Sequence, residues 1–324
     1  MKQAAGTEIH LERNRSRLLV KNKSLWRQLV QNFELFTLSL PGVLFLFIFA
    51  YIPMFGIIIA FKNYRFDKGI LGSEWIGFKN FEFLFASDTA WRITRNTILY
   101  SSGYMLIGTF TALLLAIFMN ELTKKWIKVH QTIIFLPHFV SWVVAGYLVI
   151  AFLDHNAGFL NQMLESIGWR PHKWYFESAP WPYILNLANL WKGIGFGTLI
   201  YYAGIVGINP EYYEAARIDG ASRTQMAVKI TLPMLSSLIT ILLILSIGNM
   251  FRGDFGLHYF IPNDSKFALP TTDIIDTYVV RALRSLGDIG MSSAAGVYQS
   301  VVGFILVVLA NWIVRRINKD NSLF

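Results

Sequence analysis

The residues that could perform acid–base or metal chemistry are scattered along this chain. It contains six histidines and no cysteine, so a metal site would need closely spaced histidines with carboxylates nearby. His130 and His138 are eight residues apart, two turns along one helix and on roughly adjacent faces. The apolar runs contain neither a nucleophile elbow nor a pair of carboxylates. The sequence therefore predicts no catalytic residue, no metal site and no enzyme activity of the chain's own.

The sequence also lacks a phosphate-binding loop. The motif GxxxxGK[ST] is absent, and even the dipeptide Gly-Lys does not occur, so we expect this chain to bind no ATP through such a loop and no other cofactor. The glycine-rich run at 193–197 lies inside an apolar stretch. Because glycines let membrane helices approach closely, we expect tight packing or local unwinding there, and no nucleotide site.

Lys192 is a charged residue inside an apolar run. A charge near the bilayer centre costs about 2.5–3.5 kcal/mol on insertion scales, so its side chain should face protein or a water-filled cavity. With Asn189 it could line a solute pathway. Alternatively, the span begins later and Lys192 reaches the outer interface. Asn249 and Arg252, at the end of a later apolar run, are weaker candidates for the same pathway.

Long apolar runs dominate the chain, which is 54% hydrophobic and 15% charged. A soluble domain would carry about 25% charged residues, and a membrane-spanning helix needs about 20 apolar residues. We predict an all-α integral membrane protein with six transmembrane helices. Five spans lie in uncharged runs and the sixth contains Lys192: 35–61, 96–120, 129–153, 183–206, 230–251 and 289–314.

The net charge of +9 is concentrated on one side of these spans. Basic residues are frequent in the N-terminal arm at 1–34, in the loop at 121–130 and near the tail at 319–324. The positive-inside rule therefore predicts that both termini are cytoplasmic. The arm precedes a run too long for a signal peptide, so we expect a retained helix. No compact basic domain is available to bind nucleic acid.

The loops on the other side, 62–95, 154–182 and 252–288, are rich in aromatic residues. Such residues usually lie at the membrane interface, although flat rings can also stack on sugars. The third loop is long and polar, and we predict a helix in it at about 273–286.

A charged segment at 209–233 lies between two apolar runs and has its own helix signals. Asn209 followed by Pro210 is a good helix start, and Gly220 is a natural left-handed stop. Ser222 with Gln225 three residues later predicts a capping box. We expect a short helix, a glycine bend and a second helix that leads into the fifth span.

The first of these helices has a surface suited to docking. Ala215 and Ala216 make one patch nearly flat, while Glu211, Glu214 and Arg217 place charges beside it. Such a patch could fit a groove on another protein. Alternatively, Glu214 and Arg217 form an intrahelical pair worth about 0.2–0.5 kcal/mol on an ordinary surface loop.

This segment resembles the EAA motif of permease subunits from binding-protein-dependent ABC importers. The matching residues are Glu-Ala-Ala at 214–216, Gly220 after Asp219, and Ile-Thr-Leu-Pro at 230–233. Two further stretches, Ile-Gly-Phe-Lys-Asn-Phe at 76–81 and Leu-Pro-His-Phe-Val-Ser-Trp at 136–142, are similar to the maltose-type branch, including the alginate importer. The resemblance covers about residues 35–318.

The resemblance implies a type I ABC importer permease fold and a partnership in the bacterial inner membrane. The expected partners are a second homologous permease, two ATPase subunits that carry ATP and Mg, and an extracytoplasmic solute-binding protein. The helix with Glu214 at its rim and Gly220 at its bend would couple ATP hydrolysis to alternating access. The expected substrate is an oligo- or polysaccharide, with acidic sugars favoured by Lys192 and Arg252. A permease for another solute, or an ion-coupled transporter, is the alternative.

Overall fold

The computed structural model describes residues 32–317, 322 and 323. Residues 1–31 and most of the tail at 319–324 lie outside this part, so the predicted roles of the basic arm and tail are not tested. The described chain is predominantly helical. It divides into two units, Met1–Ile57 and Ile58–Phe324.

The first apolar run forms a helix of 29 residues that changes its hydrogen-bonding pattern near Pro53. Because Pro53 has no N–H, it cannot donate to the carbonyl four residues earlier, and a π-helical turn stands directly before it. The parts are α1 Phe33–Leu46, the π turn Phe47–Tyr51, α2 Ile52–Met54 and the 3₁₀ helix Phe55–Phe61.

Three long helices of the second unit are unbroken. They are α5 Asp88–Asn120, with 33 residues, α9 Trp181–Val206, with 26, and α17 Ile289–Ile317, with 29. At about 1.5 Å per residue, each exceeds the 30 Å hydrocarbon core of a bilayer.

A sharply bent pair follows α5. It consists of α6 Lys124–Phe135, the 3₁₀ helix Leu136–Phe139 and α7 Trp142–Leu153, with 98° between its two arms. Pro137 lies in the 3₁₀ turn, and Ser141 caps α7 by accepting a hydrogen bond from the Val144 N–H. A proline and a new helix cap together explain a break in this position.

The second bent pair contains α11 Arg223–Met226, a π turn at Ala227–Thr231, α12 Leu232–Met234 and α13 Ser236–Gly248. Its arms meet at 60°. Pro233 lies just before the bend and again removes a helical donor.

By length and hydropathy, three helices of the described chain can cross a membrane: the first helix at Phe33–Phe61, α5 and α17. The number rises to five if each bent pair is one span. The predicted span at 183–206 coincides with α9, which contains Asn189 and Lys192. The predicted helical class is confirmed. Six spans and cytoplasmic termini remain predictions.

Helix α5 contributes to all three hydrophobic clusters of the second unit. The first joins it to α7, α9 and residues 257–274, the second to α9 and Leu235, and the third to α17 and residues 251–275. Its buried members are Tyr100, Ala112, Ala116 and Ile93. Such packing makes α5 the central element of this unit.

The glycine-rich run at 193–197 serves close packing. Gly195 is buried against the backbone carbonyl of Ile134, where a Cβ atom would collide, and a Cβ on Gly197 would lie 3.2 Å from the Ala112 methyl group. Since α9 continues through the run, the expectation of close packing is confirmed and no unwinding occurs.

The segments between the spans form short elements. Residues 62–86 contain a two-residue hairpin in which Lys62 pairs with Trp75. Its elements are β1 Lys62–Asn63, α3 Gly69–Gly72, β2 Glu74–Trp75, the 3₁₀ helix Lys79–Phe81 and α4 Phe83–Ala86.

The loops at 154–182 and 252–288 pack on each other. Ser265 Oγ donates to the Tyr175 carbonyl and Thr271 Oγ1 donates to the Ser178 carbonyl, both at 2.6 Å. Their elements are α8 Phe159–Ser166, the 3₁₀ helix Trp174–Phe176, α14 Phe255–Phe260, α15 Leu269–Thr272 and α16 Ile275–Leu286. The predicted helix at 273–286 is confirmed as α16, which begins two residues later.

Candidate functional site

The first half of the segment at 209–233 folds as its sequence predicts. Helix α10 runs over Glu211–Ile218, and the Asn209 side chain accepts a hydrogen bond from the Glu211 N–H at 3.1 Å. Gly220 has a φ of +79°, which glycine adopts without the penalty of a side chain. The helix and its glycine stop are therefore confirmed.

The second half begins at the predicted cap and then departs from a regular helix. Ser222 and Gln225 form the capping box of α11, but only one α-helical turn follows before the π turn that ends at Thr231. The Tyr213 hydroxyl lies 2.9 Å from Thr231 Oγ1. This contact ties α10 to the start of the following span.

An ion pair joins the segment to the end of α5. Arg223 Nη1 lies 2.9 Å from Glu121 Oε2, with side chains that are 76% and 36% exposed, so the pair contributes about 0.2–1 kcal/mol. A cleft of about 340 Å³ beside it is lined in part by Glu214 and Arg217. These two residues form no ion pair with each other in the described chain.

The predicted docking residues are mostly solvent-facing. Only Ala216 is half-buried; the exposed ones are Glu211, Glu214, Ala215, Arg217, Asp219 and Gly220. The structure adds Tyr212 and Ile218, which are 54% and 87% exposed. Single exposed apolar side chains are common on protein surfaces, so these two do not by themselves identify an interface. Docking itself remains a prediction.

A cavity of about 500 Å³ lies among α5, α9, α13 and residues 250–274. Three of the four predicted pathway residues line it: Asn189, Asn249 and Arg252. Arg252 Nη2 donates to Ser300 Oγ at 3.2 Å, and the Asn249 amide donates to the Leu245 carbonyl. The volume falls within the range of about 300–1,000 Å³ for small-molecule sites.

Lys192 is not among the residues that line this cavity. Its ammonium donates to the carbonyls of His138 and Val140, at 2.8 and 2.7 Å, and lies 5.3 Å from the Trp142 ring centre. The half-buried side chain therefore satisfies backbone carbonyls at the break between α6 and α7.

Sequence reasoning missed much of the cavity's polar wall. Tyr100, Tyr104, Asp254 and His258 all line it, and Asp254 Oδ2 accepts a hydrogen bond from Trp142 Nε1 at 2.6 Å. A tyrosine pair spaced by four residues within an apolar run was the available signal, because that spacing places both on one helix face.

Two carboxylates, one buried and one half-buried, hold the segment at 252–288 in place. Asp273, 1% exposed, lies 2.5 Å from Arg281 Nη2 and 3.6 Å from Arg92 Nη2 on α5. Asp276 accepts hydrogen bonds from the Gly253 N–H at 2.8 Å and from the Gln299 amide at 3.0 Å, while burial raises its pKa. These contacts position the backbone around Arg252.

No group of three or more His, Asp or Glu side chains in residues 32–317, 322 and 323 is arranged to hold a metal ion. The cavity lining therefore offers a solute hydrogen-bonding side chains, aromatic rings, one arginine (Arg252) and one carboxylate (Asp254). Such a lining suits binding and release of an unchanged polar molecule.

The helical fold, the cavity and the charged segment define a membrane transport subunit. The sequence profile of the "binding-protein-dependent transport system inner membrane component" family matches residues 105–319. The chain belongs to this family, which confirms the resemblance seen in its EAA segment.

A curated relative and two solved structures show which transporters of this family the chain resembles. The polygalacturonan/rhamnogalacturonan transport system permease protein YteP of Bacillus subtilis (strain 168) is 36% identical over 93% of each chain. A bacterial ABC transporter for import of the acidic polysaccharide alginate contains a chain with 34% identity and a TM-score of 0.81, over 91% of this chain and all of that one. A chain in a complex of a bacterial alginate ABC transporter with an alginate pentasaccharide-bound periplasmic protein has a TM-score of 0.82 and 34% identity, over 92% of this chain and 99% of that one.

Proposed function

We propose that this chain is the transmembrane subunit of an ATP-driven importer that moves an oligo- or polysaccharide across the bacterial inner membrane by alternating access. The observation that carries the proposal is the cavity bounded by α5, because the same helix ends in the ion pair with the EAA segment. One rigid helix therefore connects a solute-sized space with a surface suited to a motor protein. The chain itself performs transport and no hydrolysis.

The proposed topology has six spans and cytoplasmic termini. Three single helices and two bent pairs meet the length and hydropathy criteria, and α9 supplies the sixth span with Lys192 bound inside the protein. In this arrangement the EAA segment faces the cytoplasm, and residues 154–182 and 252–288 face outward.

The proposed coupling surface is α10 with the bend at Gly220. Its charged residues and the apolar side chains of Tyr212 and Ile218 are exposed together, as expected of a helix that inserts into a groove. We assign it to one of two ATPase subunits, which would bind ATP and Mg. A second, homologous permease would bring the other coupling helix.

The substrate class rests on the named activities of similar proteins and on the cavity. Those proteins transport galacturonan-type polysaccharides or alginate, and Arg252 supplies a positive charge in the cavity lining. Lys192 no longer supports this argument, because its ammonium is bound to backbone carbonyls. We therefore propose an acidic oligo- or polysaccharide delivered by an extracytoplasmic solute-binding protein.

Co-purification tests the proposal directly. The tagged chain should retain a second permease and ATPase subunits, and the complex with its binding protein should hydrolyse ATP faster when oligogalacturonates or oligoalginates are added. Stimulation by non-sugar solutes alone would reject the substrate class. Uptake driven by an ion gradient without ATP, and no bound ATPase, would reject the importer.

A further inference from the structure

Two tyrosines belong to the polar part of the cavity wall. Tyr100 and Tyr104 stand one turn apart on α5, both line the cavity, and their ring centres are 5.7 Å apart. The ring of His258 lies against both, with centre distances of 4.6 and 6.1 Å. Since His258 belongs to α14, this contact joins the outer segment to the central helix.

The hydrogen bonds of His258 determine the direction of its bond to Tyr104. Its Nδ1 lies 2.8 Å from the Thr272 carbonyl, which can only accept, so Nδ1 carries the proton. Nε2 lies 3.0 Å from the Tyr104 hydroxyl and, in a neutral ring, must accept. Burial lowers the pKa of His258 to about 4, so the ring is neutral at pH 7. Tyr104 is therefore the donor.

The two hydroxyls consequently offer different groups to a solute. The Tyr104 proton is already used, so its oxygen can only accept another hydrogen bond. The Tyr100 hydroxyl is buried and has no hydrogen-bond partner within the described chain, and the residue is 6% exposed. A buried hydroxyl without a partner is unfavourable, and its position in the cavity wall gives a ligand the opportunity to satisfy it.

We propose that Tyr100 and Tyr104 form a subsite for an uncharged hydroxyl group of the saccharide, and that His258 is the positioning residue that fixes Tyr104 as an acceptor. The subsite rests on the proposed function and specifies which group of the sugar binds there. A sugar hydroxyl can accept from Tyr100 and donate to Tyr104 at the same time, whereas an ionised carboxylate can accept from Tyr100 but has no proton to donate to Tyr104. Only the hydroxyl therefore satisfies both tyrosines, and the acid group is directed towards Arg252.

Equilibrium binding of labelled trigalacturonate to the purified permease–ATPase complex, without the solute-binding protein, tests the subsite. Removal of one hydroxyl by Tyr100→Phe or Tyr104→Phe should weaken binding about three- to tenfold. Tyr278→Phe is the matched control, because Tyr278 stacks on Phe83 outside the cavity lining. Unchanged affinity in both cavity variants would overturn the subsite.

Substitutions of His258 separate positioning from folding. His258→Gln keeps one donor and one acceptor and should bind trigalacturonate within about twofold of wild type, whereas His258→Leu should match Tyr104→Phe. A purely structural role would instead reduce the yield of assembled complex with affinity unchanged. Nitrogen-15 NMR of the labelled ring should show a protonated Nδ1; a protonated Nε2 would overturn the assignment.

The wild-type controls distinguish this proposal from the proposed function. If the wild-type complex neither binds trigalacturonate nor imports any acidic or neutral oligosaccharide into proteoliposomes, the saccharide function is wrong and the subsite fails with it. If wild type imports them and the tyrosine variants do so with equal affinity, the subsite alone is wrong.

Discussion

Two polar side chains bind backbone carbonyls at places where a helix of this protein ends. Lys192 binds two carbonyls at the break between α6 and α7, and His258 binds the Thr272 carbonyl near the end of α15. Backbone groups left unpaired at membrane depth are costly. Such residues therefore have a stability role that can be separated from transport by measurement.

Lys192→Met should lower the melting temperature of the detergent-solubilised protein by several degrees. The substitution leaves the His138 and Val140 carbonyls without the ammonium donor, and each unsatisfied group costs about 1–3 kcal/mol of stability. Lys173→Met, at an exposed position in the loop at 154–182, is the control and should have little effect. A stable Lys192 variant with altered preference between charged and neutral saccharides would instead place Lys192 in the pathway.

Arg252→Gln should reduce uptake of acidic oligosaccharides about tenfold or more and leave neutral ones nearly unchanged. The reason is the loss of a charged donor in the cavity, where hydrogen bonds to charged groups contribute about 1.5–3 kcal/mol. Uptake into proteoliposomes of trigalacturonate and maltotriose is the measurement. Arg170→Gln, exposed in the loop at 154–182, is the matched control, and equal losses for both sugars would contradict a charge-specific role.

Acid should destabilise the wild type through His258. Burial lowers its pKa to about 4 in the folded protein, against about 6.5 when unfolded. The unfolded state therefore binds more protons between these values, and stability falls as the pH decreases through this window. The melting temperature at pH 5 relative to pH 7 should drop more for wild type than for His258→Gln. Equal drops would exclude this contribution.

At the scale of elements, α10 and its glycine bend should act as a docking unit. Ile218→Asp changes a side chain that is 87% exposed, so the fold should tolerate it while an apolar contact with the ATPase is lost. We expect reduced ATPase retention on co-purification and reduced uptake. Ile167→Asp, 65% exposed in the loop at 154–182, is the control. Normal retention in the Ile218 variant would remove this residue from the interface.

Local sequence signals predicted where the short helices at 209–233 begin and end better than they predicted π turns and bends. The Ser222 cap and the Gly220 bend follow from rules that act within one turn, and both are confirmed. The Asn209 side chain accepts a hydrogen bond from the Glu211 N–H, but the helix begins one residue later than predicted, with Pro210 at its N-cap. Neither π turn was predicted, because each depends on how a helix relieves a proline within a packed span. The bends after Pro137 and Pro233 were also missed, since an apolar run does not show where its axis turns.

The cavity was only partly predictable for a related reason. Asn189, Asn249 and Arg252 stand out as polar residues in apolar surroundings. Tyr104 and His258 are 154 positions apart in sequence, and only the packing of α14 on α5 brings them together. Lys192 was correctly expected to need a partner or water, but a backbone break 54 residues away cannot be inferred from one sequence.

For the whole molecule, the absence of cysteine permits a clean test of topology. Lys173→Cys and Thr224→Cys introduce thiols at exposed positions in the outer loop and the EAA segment. A membrane-impermeant maleimide should label the first in intact cells with accessible inner membranes, and the second only after permeabilisation. The reverse pattern would invert the proposed orientation, and labelling of both in intact cells would contradict the span count.

The length of α5 has a mechanical consequence. Its 33 residues, Asp88–Asn120, extend about 50 Å at about 1.5 Å per residue, so Tyr104 lies at the midpoint and Asn120, next to Glu121, lies at one end. A tilt of 10° about its midpoint would shift the two ends by about 4 Å in opposite directions. The space beside α5 would then widen on one side of the membrane and narrow on the other, without any change in the helix's own hydrogen bonds.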